Sequence, residues 1–263
     1  MTAQTDRFVH DRLPPPVQCA QMRYDLPELQ LPDQLNAAVE LLDKAAYKGF
    51  ADRPLLRSNA VTFTYAQARE RVDRIAHVLT QDLGLKPGNR VLLRGGNSVG
   101  LALSWLAVVK AGLIVVATMP LLRARELGDI IDKSEPVAAI CDAKLLAELE
   151  LAQQDHPALK TILKYNAPGD PQDLGALCAD KPAFFEPCPT AADDIALMAF
   201  TSGTTGKPKA AVHSHRDVMA ACEAWPRHVL KATPDDIVVW IDELLTVPTF
   251  ESDLASARST VNR

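Results

Sequence analysis

The sequence predicts an α/β fold built of parallel-sheet layers covered by helices, and three observations point there. Short runs of consecutive apolar residues at 91–93, 113–116 and 137–141 have the length and branched content of strands buried on both faces. Segments of helical length separate them, as a parallel crossover requires. Hydrophobic residues make up 48% of the 263 positions, enough for a sizeable core, so the chain is one large domain or two small ones and not a disordered tail.

Residues 1–31 read as an extended N-terminal arm, because Pro14, Pro15 and Pro16 follow one another and no apolar run reaches signal-peptide length. Residues 32–48 place Leu35, Val39, Leu42 and Ala46 at helical spacing, with Pro32 at the start and Gly49 as the stop. Two short strands, 55–57 and 61–63, flank a turn at Ser58-Asn59-Ala60. Thr64 with Gln67 three residues on is a capping box, and it opens a helix whose Ala68, Val72, Ile75 and Leu79 share one face until Gly84 ends it.

Alternation then sets in: strand 91–93, a nearly all-apolar helix 99–109, strand 113–116, helix 125–133, strand 137–141, helix 143–153 and strand 161–163. The stretch 99–122 is the only one long and apolar enough to suggest a membrane span. Lys110 and Gly112 in its middle and Pro120 near its end favour a buried helix followed by a buried strand. Residues 165–192, rich in Pro, Gly, Asp and Ala, read as a linker into the next unit.

Charge narrows the function classes. Lys and Arg number 28 against 33 Asp and Glu, with no long basic run, so there is no electrostatic footprint for nucleic acid or an anionic membrane. A small molecule is the expected partner. The five cysteines, Cys19, Cys141, Cys178, Cys188 and Cys222, are scattered with no Cys-x-x-Cys pair, which argues for a reduced, cytoplasmic setting and against zinc or redox exchange.

The chemistry concentrates in one place. An apolar strand at 195–200 runs into Thr201-Ser202-Gly203-Thr204-Thr205-Gly206-Lys207-Pro208-Lys209, and a second strand, 210–212, follows. Two glycines let backbone N–H groups approach an anion, four hydroxyls add donors and two lysines add charge. This suits polyphosphate better than a polar surface hairpin. A Walker loop is excluded, since only Thr204 and Thr205 separate the glycines and Pro208 follows Lys207 where a Ser or Thr should stand.

His213 and His215 flank Ser214 at a strand-to-helix junction, a spacing that does not converge on a metal, and no metal ligand is assigned. Ser214 with Asp217 reads as a helix cap, and the two histidines as structural. His77 and His156 are placed on helix or loop surfaces without a role, and Trp105 in the core.

The nine-residue string closely resembles the signature loop of the adenylate-forming (AMP-binding) superfamily, which includes acyl-CoA synthetases, luciferases and peptide-synthetase adenylation domains. Val61-Thr62-Phe63-Thr64-Tyr65, the stretch from Gly95-Gly96-Asn97-Ser98 through Trp105 to Pro120 and Glu126-Leu127, and His213 to Asp217 are similar to further family segments. The likeness covers about residues 30–239, judged by pattern. The Leu-Pro-rich opening most resembles the benzoate and 2-aminobenzoate CoA-ligase branch.

The resemblance implies an acid that attacks the α-phosphate of ATP to give an acyl-adenylate and pyrophosphate, after which coenzyme A displaces AMP. It also implies Mg2+ with the nucleotide. Thr201, Ser202, Gly203, Thr204, Thr205, Gly206 and Lys207 would wrap the β- and γ-phosphates, with Lys207 the catalytic cation and Lys209 a weaker member of the set. An aromatic carboxylic acid is the expected substrate.

Measured against that family, residues 32–239 read as a partial N-terminal AMP-binding domain with its loop at 201–209. The family's Tyr-Gly-x-Thr-Glu segment, its ribose-binding residues and its C-terminal domain are missing, so the expectation is a piece inactive alone. From Trp240 the pattern departs, and residues 240–263 read as a divergent tail. A nucleotide-binding or interaction module without catalysis is the other reading; an ordinary ATPase or kinase is disfavoured by the loop spacing.

Overall fold

A computed structural model describes residues 1–201, 208–233 and 235–238. The divergent tail expected at 240–263 lies outside them. A helical run over residues 37–50 leads into an antiparallel hairpin of β1 (Pro54–Arg57) and β2 (Thr62–Thr64). Ser58 closes its turn, donating its N–H to Val61 O at 2.8 Å. Next come α1 (Tyr65–His77), β3 (Arg90–Arg94), α2 (Val99–Lys110), β4 (Ile114–Thr118), α3 (Ala124–Ser134), β5 (Ala138–Asp142), α4 (Leu146–Asp155) and β6 (Thr161–Tyr165). The short α5 (Leu174–Leu177), β7 (Ile195–Thr201), β8 (Lys209–Ser214) and α6 (His215–Trp225) complete the order.

β3 to β8 form one six-stranded sheet in the order β6-β5-β3-β4-β7-β8. Every pairing is parallel except β7 with β8. The exception follows from chain length. Only residues 202–208 separate these two strands, and a parallel return needs a crossover of roughly a dozen residues or more.

Strand residues alternate between two cores. Val91, Leu93, Val115, Ala117, Ile140 and Leu163 face α1 and α2. Leu92, Ile114, Val116, Ala139, Cys141 and Met198 face α3 and α4. Both faces being covered, every residue of β3, β4 and β5 is buried, which is why the centres of these strands are apolar runs in the sequence, with polar residues confined to their ends.

The α1 cap forms as expected: Thr64 Oγ1 accepts from Gln67 N, and the Gln67 side chain accepts from Thr64 N. The first helix differs from expectation, beginning at residue 37 and not at 32. Residues 33–36 are held instead by the segment before β7: Leu35 N donates to Thr190 O at 2.9 Å, and Thr190 Oγ1 donates to Leu35 O at 2.7 Å. The end of the stretch 165–192 packs against the same elements. Thr190 and Ala192 are fully buried, and Cys188 N donates to Lys110 O at 3.0 Å. Gly112 makes the turn from α2 to β4 at φ 71°, and any Cβ there would meet Cys188 Sγ.

Lys110 carries the most demanding contact in the fold. Its side chain is 2% exposed, and its ammonium donates to Asp43 at 2.9 Å and to Asp73, both also buried. Asp43 belongs to the first helical run, Asp73 to α1 and Lys110 to the end of α2, so one cation joins three segments. Burial pushes the Asp73 carboxyl up, and the bond and charge from Lys110 offset that only in part. Among the described residues no helix is long and apolar enough to cross a membrane.

Replacing Lys110 by Met strands two buried carboxylates, so urea unfolding near neutral pH should show a loss of roughly 3–5 kcal/mol. The loss should shrink as the pH is lowered toward the carboxylate range. Burial already raises the Asp73 carboxyl, and without the bond and charge of Lys110 it rises further above its unfolded value, so the penalty is full at high pH and is relieved by protonation. A Lys110→Met variant as stable as the parent at neutral pH would contradict this account.

Candidate phosphate-binding loop

In a parallel sheet every strand ends on the same side, and that side is where loops can converge on a ligand. Arg94, Thr118, Asp142, Tyr165 and Thr201 mark the carboxyl ends here. Thr201, the first residue of the motif, closes β7 opposite Lys209, the first of β8, and its Oγ1 donates to Lys209 O at 3.5 Å. Both are exposed. Ser202, Gly203, Thr204, Thr205, Gly206 and Lys207 lie outside the described residues.

The hairpin leans toward the α3 layer. Phe200, Ala210 and Val212 pack against the core on that side, and Lys133 Nζ donates to Pro208 O at 2.9 Å.

Neighbouring loops at this end are fixed by two residues that the sequence reading passed over. Arg94 is 1% exposed, and its guanidinium donates to the carbonyls of Leu145, Met119, Pro120 and Leu122 at 2.8–3.1 Å. A cation closing an otherwise apolar strand run was the available signal. Tyr165 fills the space beneath the turn after β3, where a Cβ at Gly95 or Gly100 would strike its ring. These two glycines are therefore required by packing, which single-sequence pattern does not display.

A cavity of about 840 Å³ opens at the same end, between the β1–β2 hairpin, the start of α2 and residues 235–238. Its wall includes Tyr65, Ser98, Val99 and an ion pair of Arg53 with Asp235 at 2.7 Å. Among the described residues no group of three or more His, Cys, Asp or Glu could hold a metal ion.

The histidines beside β8 are structural in their contacts. Ser214 caps α6, with its Oγ accepting from Asp217 N at 3.1 Å and the Asp217 carboxylate accepting from Ser214 N at 2.8 Å. His215 is fully buried and its Nδ1 accepts from Ala37 N at 3.1 Å, so the neutral ring carries its proton on Nε2, which has no partner among the described residues. Burial lowers its pKa to about 4. His77 corrects the expectation of a surface position: it is 9% exposed, bonds Phe184 O through Nε2 at 2.8 Å and meets Phe185 edge-on. His156 reaches Asp132 at 2.5 Å.

A sheet of this topology with a Gly-Thr-Lys loop at a strand's carboxyl end has known counterparts. The family model described as AMP-binding enzyme matches residues 42–247. The chain belongs to this family. It is 28% identical over 212 residues to a benzoate–CoA ligase of Thauera aromatica, covering 81% of this chain and 40% of that protein. It is also 28% identical over 226 residues to a long-chain-fatty-acid–CoA ligase of Salmonella typhimurium, covering 76% and 40%. Among solved structures, ATP-bound MatB from Rhodopseudomonas palustris superposes with a TM-score of 0.66 at 28% identity, covering 77% of this chain and 39% of that one. The chain thus spans about 40% of the length of the curated relatives it matches.

The buried imidazole makes stability depend on pH with a definite sign. His215 titrates lower folded than free, so as pH falls the unfolded chain takes up the proton first, and stability is lost between the ordinary histidine range and about pH 4. Between about pH 7 and pH 5 this removes about 2 kcal/mol. Urea midpoints at those pH values should converge by that amount in a His215→Gln variant; an unchanged pH dependence would refute the assignment.

Proposed function

We propose that residues 32–239 are the N-terminal, phosphate-handling part of an ATP-dependent, AMP-forming carboxylic acid–CoA ligase. The observation that carries this reading is the Thr201–Lys209 string at the carboxyl end of β7, in a chain of the AMP-binding family. The likeness to an ATP-bound structure supports ATP as the nucleotide.

In the proposed reaction the acid's carboxylate oxygen attacks the α-phosphorus, and the bond to the β-phosphate bridging oxygen breaks. Negative charge builds on the departing pyrophosphate. Thr201 to Lys207 would meet it with backbone N–H groups, hydroxyls and the Lys207 ammonium, which stabilise the leaving group as it forms. Lys209, on β8, is within the same charged stretch and would add to the field. Coenzyme A thiol then attacks the acyl carbon and AMP leaves.

Mg2+ accompanies the nucleotide in this reading and neutralises phosphate charge. The described residues offer it no carboxylate cluster, so no step is assigned to residues of this stretch through the metal. An aromatic acid is the preferred substrate class, on the benzoate–CoA ligase relative and the Leu-Pro-rich opening. The fatty-acid–CoA ligase relative, matched at the same identity, sets the competing class.

Calorimetry on the full chain should show saturable binding of MgATP, and Lys207→Met should weaken it roughly tenfold or more, the effect of removing one charge-assisted contact to phosphate. Pyrophosphate release should stay at background with benzoate, 2-aminobenzoate or long-chain fatty acids, because about 60% of the relatives' length has no counterpart in this chain. Absence of ATP binding by a folded chain would sink the phosphate-loop reading. Release that depends on one acid class would instead show that this stretch suffices for turnover and identify the substrate.

A further inference from the structure

Among the described residues the arm, residues 1–31, meets the root of the loop-bearing hairpin at the start of β7 and at the cap of α6, which follows β8 directly. β7 and β8 begin and end as a pair: Ile195, the first residue of β7, is the register partner of Ser214, the last of β8, with a register shift between Ile195 and Leu197. At Ile195 the ladder is completed by a side chain. Gln4, only 4% exposed, donates from Nε2 to Ile195 O at 2.6 Å and accepts from Ile195 N at 3.3 Å. Beside it, Ala3 N donates to the Asp194 carboxylate at 2.9 Å.

At the other strand the contact runs through the helix cap. Asp217 accepts from Ser214 with one carboxylate oxygen, and Tyr24 Oη donates to the other at 2.6 Å. The Tyr24 ring also lies beneath the Arg216 guanidinium.

We infer that Gln4 and Tyr24 are positioning residues that clamp the root of the β7–β8 hairpin, the pair of strands that flanks residues 202–207. The reason is mechanical. Among the described residues β8 is an edge strand bonded only to β7, and an edge hairpin frays unless its open end is held. The arm supplies that hold from outside the sheet, and next to Gln4 it is anchored on Asn89 and Arg90 at the start of β3. Asp6 pairs with Arg90 and accepts from Asn89 at 2.8 Å, Phe8 packs under Arg90, and Val9 is buried. The consequence for nucleotide rests on the phosphate-loop reading above.

The test uses the full chain with Gln4→Met and Tyr24→Phe, singly and together; both keep side-chain bulk and remove the polar contacts. Native-state hydrogen exchange followed by mass spectrometry should show amides of β8 exchanging roughly tenfold faster in the double variant, the effect of losing about one net hydrogen bond locally. Amides of β3 and β5 should change no more than the loss of global stability, measured with urea, accounts for. Equal acceleration across the sheet, or an unchanged β8, would overturn the clamp. Calorimetry with MgATP separates the two readings: a parent chain that binds no ATP removes the phosphate-loop reading while exchange still decides the clamp. Unchanged ATP affinity in a variant with a loosened hairpin would overturn the positioning role.

Discussion

The bond network around Lys110 constrains everything built on it. An ammonium at 2% exposure is sustained only because Asp43 and Asp73 both reach it, since an unpaired buried charge costs several kcal/mol or more. That requirement fixes how the first helical run, α1 and the end of α2 approach one another. It also ties down the segment leading to β7, because Lys110 O accepts from Cys188 N, and both Val109 O and Lys110 O accept from Asn36 Nδ2 at 3.2 Å. The first layer of the sheet is thereby set around a polar point and not around apolar packing alone.

A second polar anchor does related work at the carboxyl end. Arg94 donates to four backbone carbonyls, so the loops it gathers are held by their main chain. Tyr165 and the glycines above it finish the same edge by shape. The carboxyl end of the sheet beside the β7–β8 hairpin is thus held by buried side chains of the scaffold.

Against this background the histidines make sense as structure. Burial keeps His215 neutral, and its bond to Ala37 N joins the start of α6 to the first helical run. His77 bonds Phe184 O, and His156 pairs with Asp132 across α3 and α4. The phosphate-handling proposal thus rests on the loop's own backbone, hydroxyls and lysines.

Much of this was legible in the chain itself. Continuous apolar runs determined the strands, because burial on both faces confines polar residues to the strand ends. Thr64 with Gln67 and Ser214 with Asp217 determined two helix starts, because a cap is a contact between near neighbours. The motif at 201–209 determined the family resemblance, since its function depends on residue types at fixed local spacing. What only the tertiary structure decided were contacts between distant segments: Lys110 with Asp43 and Asp73, Arg94 with the loops after β4 and β5, His77 under Phe184, and the arm against the hairpin root. A lone charged or polar residue in a sequence has no mark that says whether a partner many residues away will satisfy it. Only the folded chain, where an unsatisfied group would carry its full desolvation cost, makes the pairing visible.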